Sequence, residues 1–267
     1  MIRTDEIRRI ISEQAMPSEK IKINPPSHLQ RLSFREAPVG RCVMRQRWSR
    51  LLFLHWPIDP ACIRERIPKG LHVDTYVGKA WIGVVPFSME RVHPVGLPPL
   101  PWISWFLELN VRTYVYDDQG RPGVWFFSLD CNQPIAVEVA RRFFHLPYNH
   151  ARMSATLDSG ELDYRSQRRG AAEESFFRYR PPVQGKPAGE HSLEWFLVER
   201  YLLFATDRSG RIRCGRVHHT PYQIELANCS QWSAESIREN GFELPSDPPV
   251  SMLVAEPVEV SIYPLGD

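Results

Sequence analysis

Residues 106–129 read FLELNVRTYVYDDQGRPGVWFFSL. Two segments in this stretch, 106–116 and 124–129, are rich in the β-branched and aromatic residues that favour strands. Between them, residues 117–123 hold two aspartates, two glycines and a proline, which are typical of turns. The stretch therefore predicts a β-hairpin.

Several other segments have the length and composition of strands, and few have the period of a helix. We predict further hairpins at 71–76 with 80–89, turned at Gly78, and at 201–205 with 212–217, and strands at 51–54, 151–157, 161–165, 176–179 and 251–263. Short helices are predicted after Asp59, after Pro134 and around residues 193–199. Many hairpins and few helices indicate a mainly β (α+β) fold in which one antiparallel sheet is closed or nearly closed.

The first 40 residues differ in sequence pattern from the rest of the chain. Ile7, Ile10 and Ile11 have helical spacing, and a polar stretch punctuated by Pro17, Pro25, Pro26 and Pro38 follows them. We predict an N-terminal helix and extended arm over 1–40, and a single β domain over 41–267. The arm is a candidate for subunit assembly.

Composition excludes several classes of function. The formal charge is only +2, so nothing draws the chain to nucleic acid. The apolar stretches are too short to span a bilayer, so we expect no membrane partner. Five cysteines without close pairs favour the cytoplasm. Because phosphate-loop, dinucleotide and metal motifs are absent from the sequence, we expect no cofactor and no metal.

Several phrases occur in an order that resembles a known family. They are Leu54-His-Trp-Pro57, Ile67-Pro-Lys-Gly70, Trp81 to Phe87, Glu108-Leu-Asn-Val-Arg-Thr-Tyr114, Phe126-Phe-Ser-Leu-Asp130, Leu146-Pro-Tyr148, Glu199-Arg-Tyr201 and Val217-His-His-Thr-Pro-Tyr222. Together they resemble the YqjF-like domain of unknown function, a branch of the acetoacetate decarboxylase-like superfamily. The resemblance implies a β-cone or barrel with a few short peripheral helices, an internal apolar pocket and a homo-oligomer.

The resemblance also implies where this chain departs from the decarboxylases. Their helix ends in a proline followed by two lysines, one of which forms an imine with the substrate; here Tyr148 and Asn149 follow Pro147. A phenol and an amide cannot form an imine. The pocket glutamate of the superfamily corresponds to Glu108, and an arginine before its first long strand corresponds to Arg50.

Strand alternation places Glu108, Asn110 and Arg112 on one face. In a cavity, this set could bind and polarise a small carbonyl or carboxylate ligand, and desolvation would raise the pKa of Glu108. The alternative is a polar outward face on which Glu108 and Arg112 form an ion pair.

Other candidate residues follow from the resemblance and from their neighbours. Tyr148 could donate a hydrogen bond or act as a general acid, and Asn149 would share its pocket position. One of the adjacent histidines, His218, could face the pocket, although neighbouring strand residues point opposite ways and so disfavour a shared metal. Cys131 would be a nucleophile only beside a histidine base, and we favour an inert, buried thiol.

Three classes of function remain open from the sequence. The first is a lyase, hydratase or isomerase acting on a carbonyl or carboxylate compound, with Glu108 and Tyr148 catalytic and Arg112, Asn110, Asn149, Arg50 and His218 binding the substrate. The second is a non-enzymatic ligand-binding or sensor protein that uses the same cavity. The third is an oligomeric structural protein whose pocket is vestigial.

Overall fold

The computed structural model of the chain describes residues 24–243, 245 and 247–266. The strands within these residues are β1 (Met44–Ser49), β2 (Leu51–Ile58), β3 (Leu71–Val73), β4 (Ala80–Pro94), β5 (Phe106–Asp117), β6 (Pro122–Cys131), β7 (Tyr148–Asp158), β8 (Glu161–Arg168), β9 (Ser175–Tyr179), β10 (Lys186–Pro187), β11 (Leu202–Thr206), β12 (Ile212–His218), β13 (Gln223–Leu226), β14 (Cys229–Trp232), β15 (Ser251–Ala255) and β16 (Val258–Ile262). The helices are α1 (His28–Ser33), α2 (Pro60–Arg64), α3 (Pro134–Phe143), α4 (Leu193–Val198) and α5 (Glu235–Arg238). The helix predicted before residue 16 lies outside the described part.

The centre of the fold is a closed ring of hydrogen-bonded strands. In order around it are β4, β5, β6, β11, β12, β16 and β1, and β1 pairs again with β4. The remaining strands extend the sheet outward from β4, β5 and β6. The predicted mainly β fold is confirmed, as is the hairpin at 106–129, which supplies β5 and β6.

The sheet is mixed, whereas the prediction was an antiparallel sheet. β6 lies parallel to β11, with Leu203 opposite Val124, and parallel to β7, with Leu129 opposite Tyr148. Parallel neighbours require a crossover, and α3 provides it between β6 and β7. This crossover delivers Tyr148 to the ring.

One predicted hairpin is wrong. Gly78 makes a tight turn at φ +74°, with a bridge between Tyr76 and Lys79, but β3 pairs with β5 and not with β4. One edge of β4 is occupied by β5, and the other is shared between β2 and β1, so β4 has no free edge for β3.

The helices are short, and their starts agree with the sequence signals. Side chains cap the first turns of three of them: Asp59 accepts from the Ala61 amide, Gln133 from the Ile135 amide and Ser192 from the Trp195 amide. The predicted helices after Asp59, after Pro134 and around 193–199 are therefore confirmed. None of the described helices is long and apolar enough to cross a membrane.

Residues 24–40 lie against the β domain, and part of them is the helix α1, where the sequence indicated an extended arm. Ser27 and Gln30 form a capping box at its start. The Nη1 and Nη2 atoms of Arg31 donate hydrogen bonds to the buried carboxylate of Asp74, at 2.6 and 2.7 Å. Arg200 donates to the same carboxylate at 2.8 Å. These charge-assisted bonds fasten the N-terminal segment to the body.

Apolar side chains fill both faces of the strands. On β2, Leu51 and Phe53 belong to the cluster inside the ring, whereas Leu52 and Leu54 belong to a second cluster on the opposite face. A strand buried on both faces has a continuous apolar sequence, as residues 51–54 do. The inner cluster surrounds the cavity described next.

Candidate functional site

An internal cavity of about 280 Å³ lies inside the ring. Its wall comes from strands β1, β2, β4, β5, β6, β7, β11, β12 and β16, from α3 and from the loops beside them, and most of the lining side chains are apolar. Eight lining residues carry polar groups: Gln46, Trp48, His93, Glu108, Asn110, Arg112, Tyr148 and Tyr222. An apolar cavity with a few convergent polar groups is the usual form of a small-molecule site.

Three of these residues come from alternate positions of β5. Glu108, Asn110 and Arg112 all line the cavity, while Leu109 and Val111 between them pack into the cluster on the other face. Glu108 and Asn110 are buried, at 2% and 4% exposure. The alternative of a polar outward face is therefore wrong, and the described residues contain no ion pair between Glu108 and Arg112.

Glu108 is an acid in an apolar environment. Burial is the largest influence on its pKa and raises it from 4.5 to about 7. Two hydrogen bonds to the carboxylate oppose this rise: the Tyr148 hydroxyl donates at 2.5 Å, and the Asn110 amide donates at 3.5 Å. Near neutral pH, Glu108 therefore exchanges a proton readily, as a general acid or base must.

Tyr148 owes its position to the parallel pairing of β7 with β6. It is the first residue of β7, directly after Pro147, and its ring lies in the inner cluster. Burial, followed by the nearby charge of Glu108, raises its pKa well above the ordinary value. The hydroxyl therefore stays protonated and is a hydrogen-bond donor, whereas a general acid would need a lowered pKa.

Replacing Tyr148 by Phe should raise the pKa of Glu108 above about 7. The hydroxyl donates to the charged form of the carboxyl, so its removal disfavours that form. A pH titration of the Glu108 carboxyl by infrared or carbon NMR would measure this. Tyr201→Phe is the matched control, because Tyr201 donates at 2.6 Å to Glu199, outside the cavity. An unchanged or lower pKa in Tyr148→Phe would contradict the assignment.

The Arg112 guanidinium has no carboxylate partner among the described residues. Its Nη2 donates to the Leu197 carbonyl at 3.3 Å and, at 3.5 Å, to the Tyr114 hydroxyl. The guanidinium carbon lies 5.4 Å from the centre of the Phe53 ring. Its Nε is buried and finds no acceptor in the described part of the chain. A half-buried cation in this state is suited to bind an anionic ligand.

His55 supports the site, although it is not among the residues predicted from the sequence. This histidine is fully buried on β2, and its Nε2 is 2.7 Å from the Tyr114 hydroxyl, which also contacts Arg112. Burial and then the Arg112 charge hold its pKa well below the ordinary value, so the ring is neutral. Gly83 leaves room for it, since a Cβ there would lie 3.0 Å from the imidazole. A histidine inside the apolar run at 51–56 was the available signal.

Three predicted binding residues lie outside the cavity. Arg50 is exposed at the turn between β1 and β2, where its φ is +54°. Asn149 alternates with Tyr148, so its amide faces away and donates to Asp130 at 3.3 Å. His218 is adjacent on β12 to Val217, which lines the cavity, so the His218 side chain points to the opposite face of the strand. Their positions give no support to a binding role.

Two further residues are buried: Cys131, considered above as a nucleophile, and His219, the neighbour of His218. The Cys131 thiol has a pKa raised to about 12, chiefly by burial, which makes it a poor nucleophile. His219 packs among Trp48, Tyr201 and Tyr222, and burial lowers its pKa to about 4. Neither lines the cavity. No lysine is present among the described lining residues either, so the cavity as described offers no amine for an imine.

Comparison with solved structures identifies the fold. Acetoacetate decarboxylase from Legionella pneumophila superposes with a TM-score of 0.59 at 10% identity, covering 97% of this chain and 95% of that one. The enduracididine biosynthesis enzyme MppR, complexed with the condensation product of pyruvate and imidazole 4-carboxaldehyde, gives a TM-score of 0.56 at 10% identity, covering 85% and 90%. At these identities the likeness shows the acetoacetate decarboxylase-like fold.

Comparison of sequences identifies the family. The uncharacterized protein YqjF of Bacillus subtilis (strain 168) is 38% identical over 230 residues, which cover 85% of this chain and 93% of YqjF. The family model DUF2071, described as an uncharacterized conserved protein, matches residues 45–259. The chain therefore belongs to the DUF2071 family and has YqjF as a relative.

Proposed function

We propose that this protein is an enzyme that moves a proton on a small carbonyl or carboxylate compound, as a lyase, hydratase or isomerase. One observation carries the proposal. Glu108 lies at the cavity wall with a pKa of about 7 and no cationic partner among the described residues. A buried, unpaired carboxyl costs folding free energy, and such groups are concentrated at active sites.

The polar groups around Glu108 suit a ligand with an acid group of its own. Arg112 lies beyond Asn110 on the same face of β5 and can bind a carboxylate. Between them, the Oδ1 atom of Asn110 is buried and has no hydrogen-bond partner among the described residues. It can accept from a ligand hydroxyl. The surrounding apolar wall would take the ligand's hydrocarbon part.

The chemistry that follows is enolisation. The Glu108 carboxylate takes a proton from the carbon beside the ligand's carbonyl, and the C–H electron pair moves into the carbonyl to give an enolate. The neutral Tyr148 hydroxyl can donate to the enolate oxygen. Return of the proton at another atom gives an isomerase, and loss of a β-substituent from the enolate gives a lyase.

A 2-oxo acid is the ligand class we favour. MppR, which shares the fold, is bound to pyruvate in one structure and to a pyruvate condensation product in another. Because the described cavity has no lysine, the acid would be activated through Glu108 and Arg112 and not through an imine. The proposed ligand class is thus the one seen in the MppR complexes.

A screen of 2-oxo acids, hydroxy acids and aromatic carboxylates tests this proposal. A ligand that binds only the folded state raises the melting temperature. Ligands that bind are then incubated with the protein in D2O, and deuterium incorporation beside the carbonyl is followed by NMR. We expect Glu108→Gln to slow the exchange by about 10²- to 10⁴-fold, which is the usual contribution of general acid–base catalysis.

Glu199→Gln is the matched control. Glu199 is also a buried glutamate that accepts from a tyrosine hydroxyl, but it does not line the cavity. This variant should exchange at the wild-type rate. A ligand that binds wild type and Glu108→Gln equally, without exchange in either, would favour the non-enzymatic binding protein. A well-folded protein with no ligand in the screen would favour the structural protein with a vestigial pocket.

We also propose that the chain forms a homo-oligomer in the cytoplasm. Large apolar side chains that are exposed support assembly, among them Trp102 at 81%, Phe143 at 64% and Leu97 at 60%. All five cysteines are free, which suits a reducing compartment.

A further inference from the structure

A cluster of three metal-ligating side chains lies away from the cavity. His28, Glu190 and His191 each offer one ligand atom, and these atoms lie within 4.8 Å of one another. His28 Nε2 is 3.0 Å from Glu190 Oε2, and the two imidazole rings have centroids 4.0 Å apart. Glu190 follows His28 by 162 residues, so no spacing in the sequence indicates the cluster.

The backbone at His191 has an uncommon conformation. Its φ of +68° lies in the left-handed region, which is uncommon for a residue other than glycine and which is concentrated at functional sites. The Tyr76 hydroxyl donates to the His191 carbonyl at 2.9 Å. This conformation places two consecutive side chains, Glu190 and His191, beside the same imidazole of His28.

The existing hydrogen bonds leave the His28 ring only partly satisfied. Its Nε2 meets Glu190, but its Nδ1 is buried and has no partner in the described part of the chain. The ring also packs on Trp195, at 5.1 Å between centroids, which holds its orientation.

Two imidazoles and one carboxylate form a donor set that zinc prefers. Ligand atoms around a tetrahedral zinc ion are about 3.4 Å apart, given bond lengths of about 2.0–2.2 Å. The atoms of the cluster therefore need to approach by little more than about 1 Å through side-chain rotation.

We infer that His28, Glu190 and His191 bind a zinc ion that ties the N-terminal segment to the β domain. His28 opens α1, and Glu190 and His191 lie just before Ser192, the N-cap residue of α4. The far end of α4 carries the Leu197 carbonyl, which accepts from Arg112 in the cavity. The ion would therefore hold both α1 and the helix that supports Arg112.

Calorimetric titration of Zn²⁺ into tag-free, EDTA-dialysed full-length protein tests this inference. All variants carry Cys62→Ser, because Cys62 is an exposed thiol that could compete for the metal. We expect one equivalent to bind to the parent, with affinity reduced at least about tenfold in His28→Ala and in His191→Ala. Zn²⁺ should also raise the melting temperature of the parent but not of these variants.

His72→Ala is the matched control. His72 also pairs with a carboxylate, Asp118 at 2.7 Å, but the described residues place no third donor beside it. Its affinity for Zn²⁺ should equal that of the parent. The inference is overturned if the parent binds no Zn²⁺, or if the double variant His28→Ala/His191→Ala binds it as tightly. The cluster would then be a histidine–glutamate ion pair only, whatever the ligand screen of the cavity gives.

Discussion

Replacing Glu108 by Gln is expected to raise the free energy of unfolding by about 3 kcal/mol at pH 8 and to leave it nearly unchanged at pH 4. The folded state raises the pKa of this carboxyl from 4.5 to about 7, and a tenfold change in proton affinity is worth about 1.4 kcal/mol. The Gln side chain keeps an oxygen that can accept from Tyr148 and carries no charge that must be buried.

The pH dependence has a definite sign. Below pH 4.5 the carboxyl is protonated in both the folded and the unfolded states, so it carries no ionisation penalty. Between pH 4.5 and about 7 the unfolded state ionises and the folded state does not, so the stability of the wild-type protein falls relative to that of the variant. Above about pH 7 the full difference remains.

Urea denaturation of both proteins at pH 4, 5.5 and 8 measures this difference. The free energy of unfolding of Glu108→Gln, relative to that of the wild-type protein, should increase between pH 4 and pH 8. Glu199→Gln should instead lower stability at pH 8, because Arg35, which donates to Glu199 at 3.2 Å, loses its partner. A constant difference between wild type and Glu108→Gln at all three pH values would contradict the raised pKa. A variant that is more stable and catalytically inactive is the usual sign of a functional residue that strains the fold.

Replacing Asp74 by Ala is expected to lower the free energy of unfolding by about 3–5 kcal/mol. Asp74 is 1% exposed and is the shared partner of Arg31 and Arg200. Arg200 is itself buried, and burial already lowers its pKa to about 10 against the opposing effect of Asp74. Without the carboxylate, a buried cation loses its counter-charge, and the N-terminal segment loses its bidentate bond.

Chemical denaturation at neutral pH checks this prediction. Asp118→Ala is the control, since Asp118 pairs with His72 at the surface and exposed pairs contribute only about 0–1 kcal/mol. If the Asp74→Ala protein does not fold, Asp74→Asn, which keeps the shape and removes the charge, should still show a lowered midpoint. A loss in Asp74→Ala no larger than that in Asp118→Ala would show that this network is not needed for stability.

Local signals in the sequence predicted local structure well. The hairpin of β5 and β6 has its turn residues between two β-rich segments, and the helices after Asp59 and Pro134 have their caps beside them. The alternation along β5 also grouped Glu108, Asn110 and Arg112 correctly. In each case the determining residues are neighbours in the chain.

Pairings between distant segments could not be predicted in this way. The partner of β3 depends on which edges of β4 are already occupied, and the parallel pair of β6 with β7 depends on α3 crossing over. The same limit applies to the site. Asn149 is predicted by resemblance and His218 as one of two adjacent histidines on a strand. A one-residue alternation on each strand decides that their neighbours Tyr148 and Val217 face the cavity.

The strand β16 has a consequence for the order in which the protein can fold. It lies between β1 and β12 in the ring, so residues 44–48 pair with residues 258–262. Contacts between such distant segments slow folding, because a long loop must close before they form. During synthesis, a nascent chain that has not yet reached residue 258 exposes the unpaired edges of β1 and β12, which are sites for aggregation. The cavity, and with it any activity, therefore arises only after nearly the whole domain has left the ribosome.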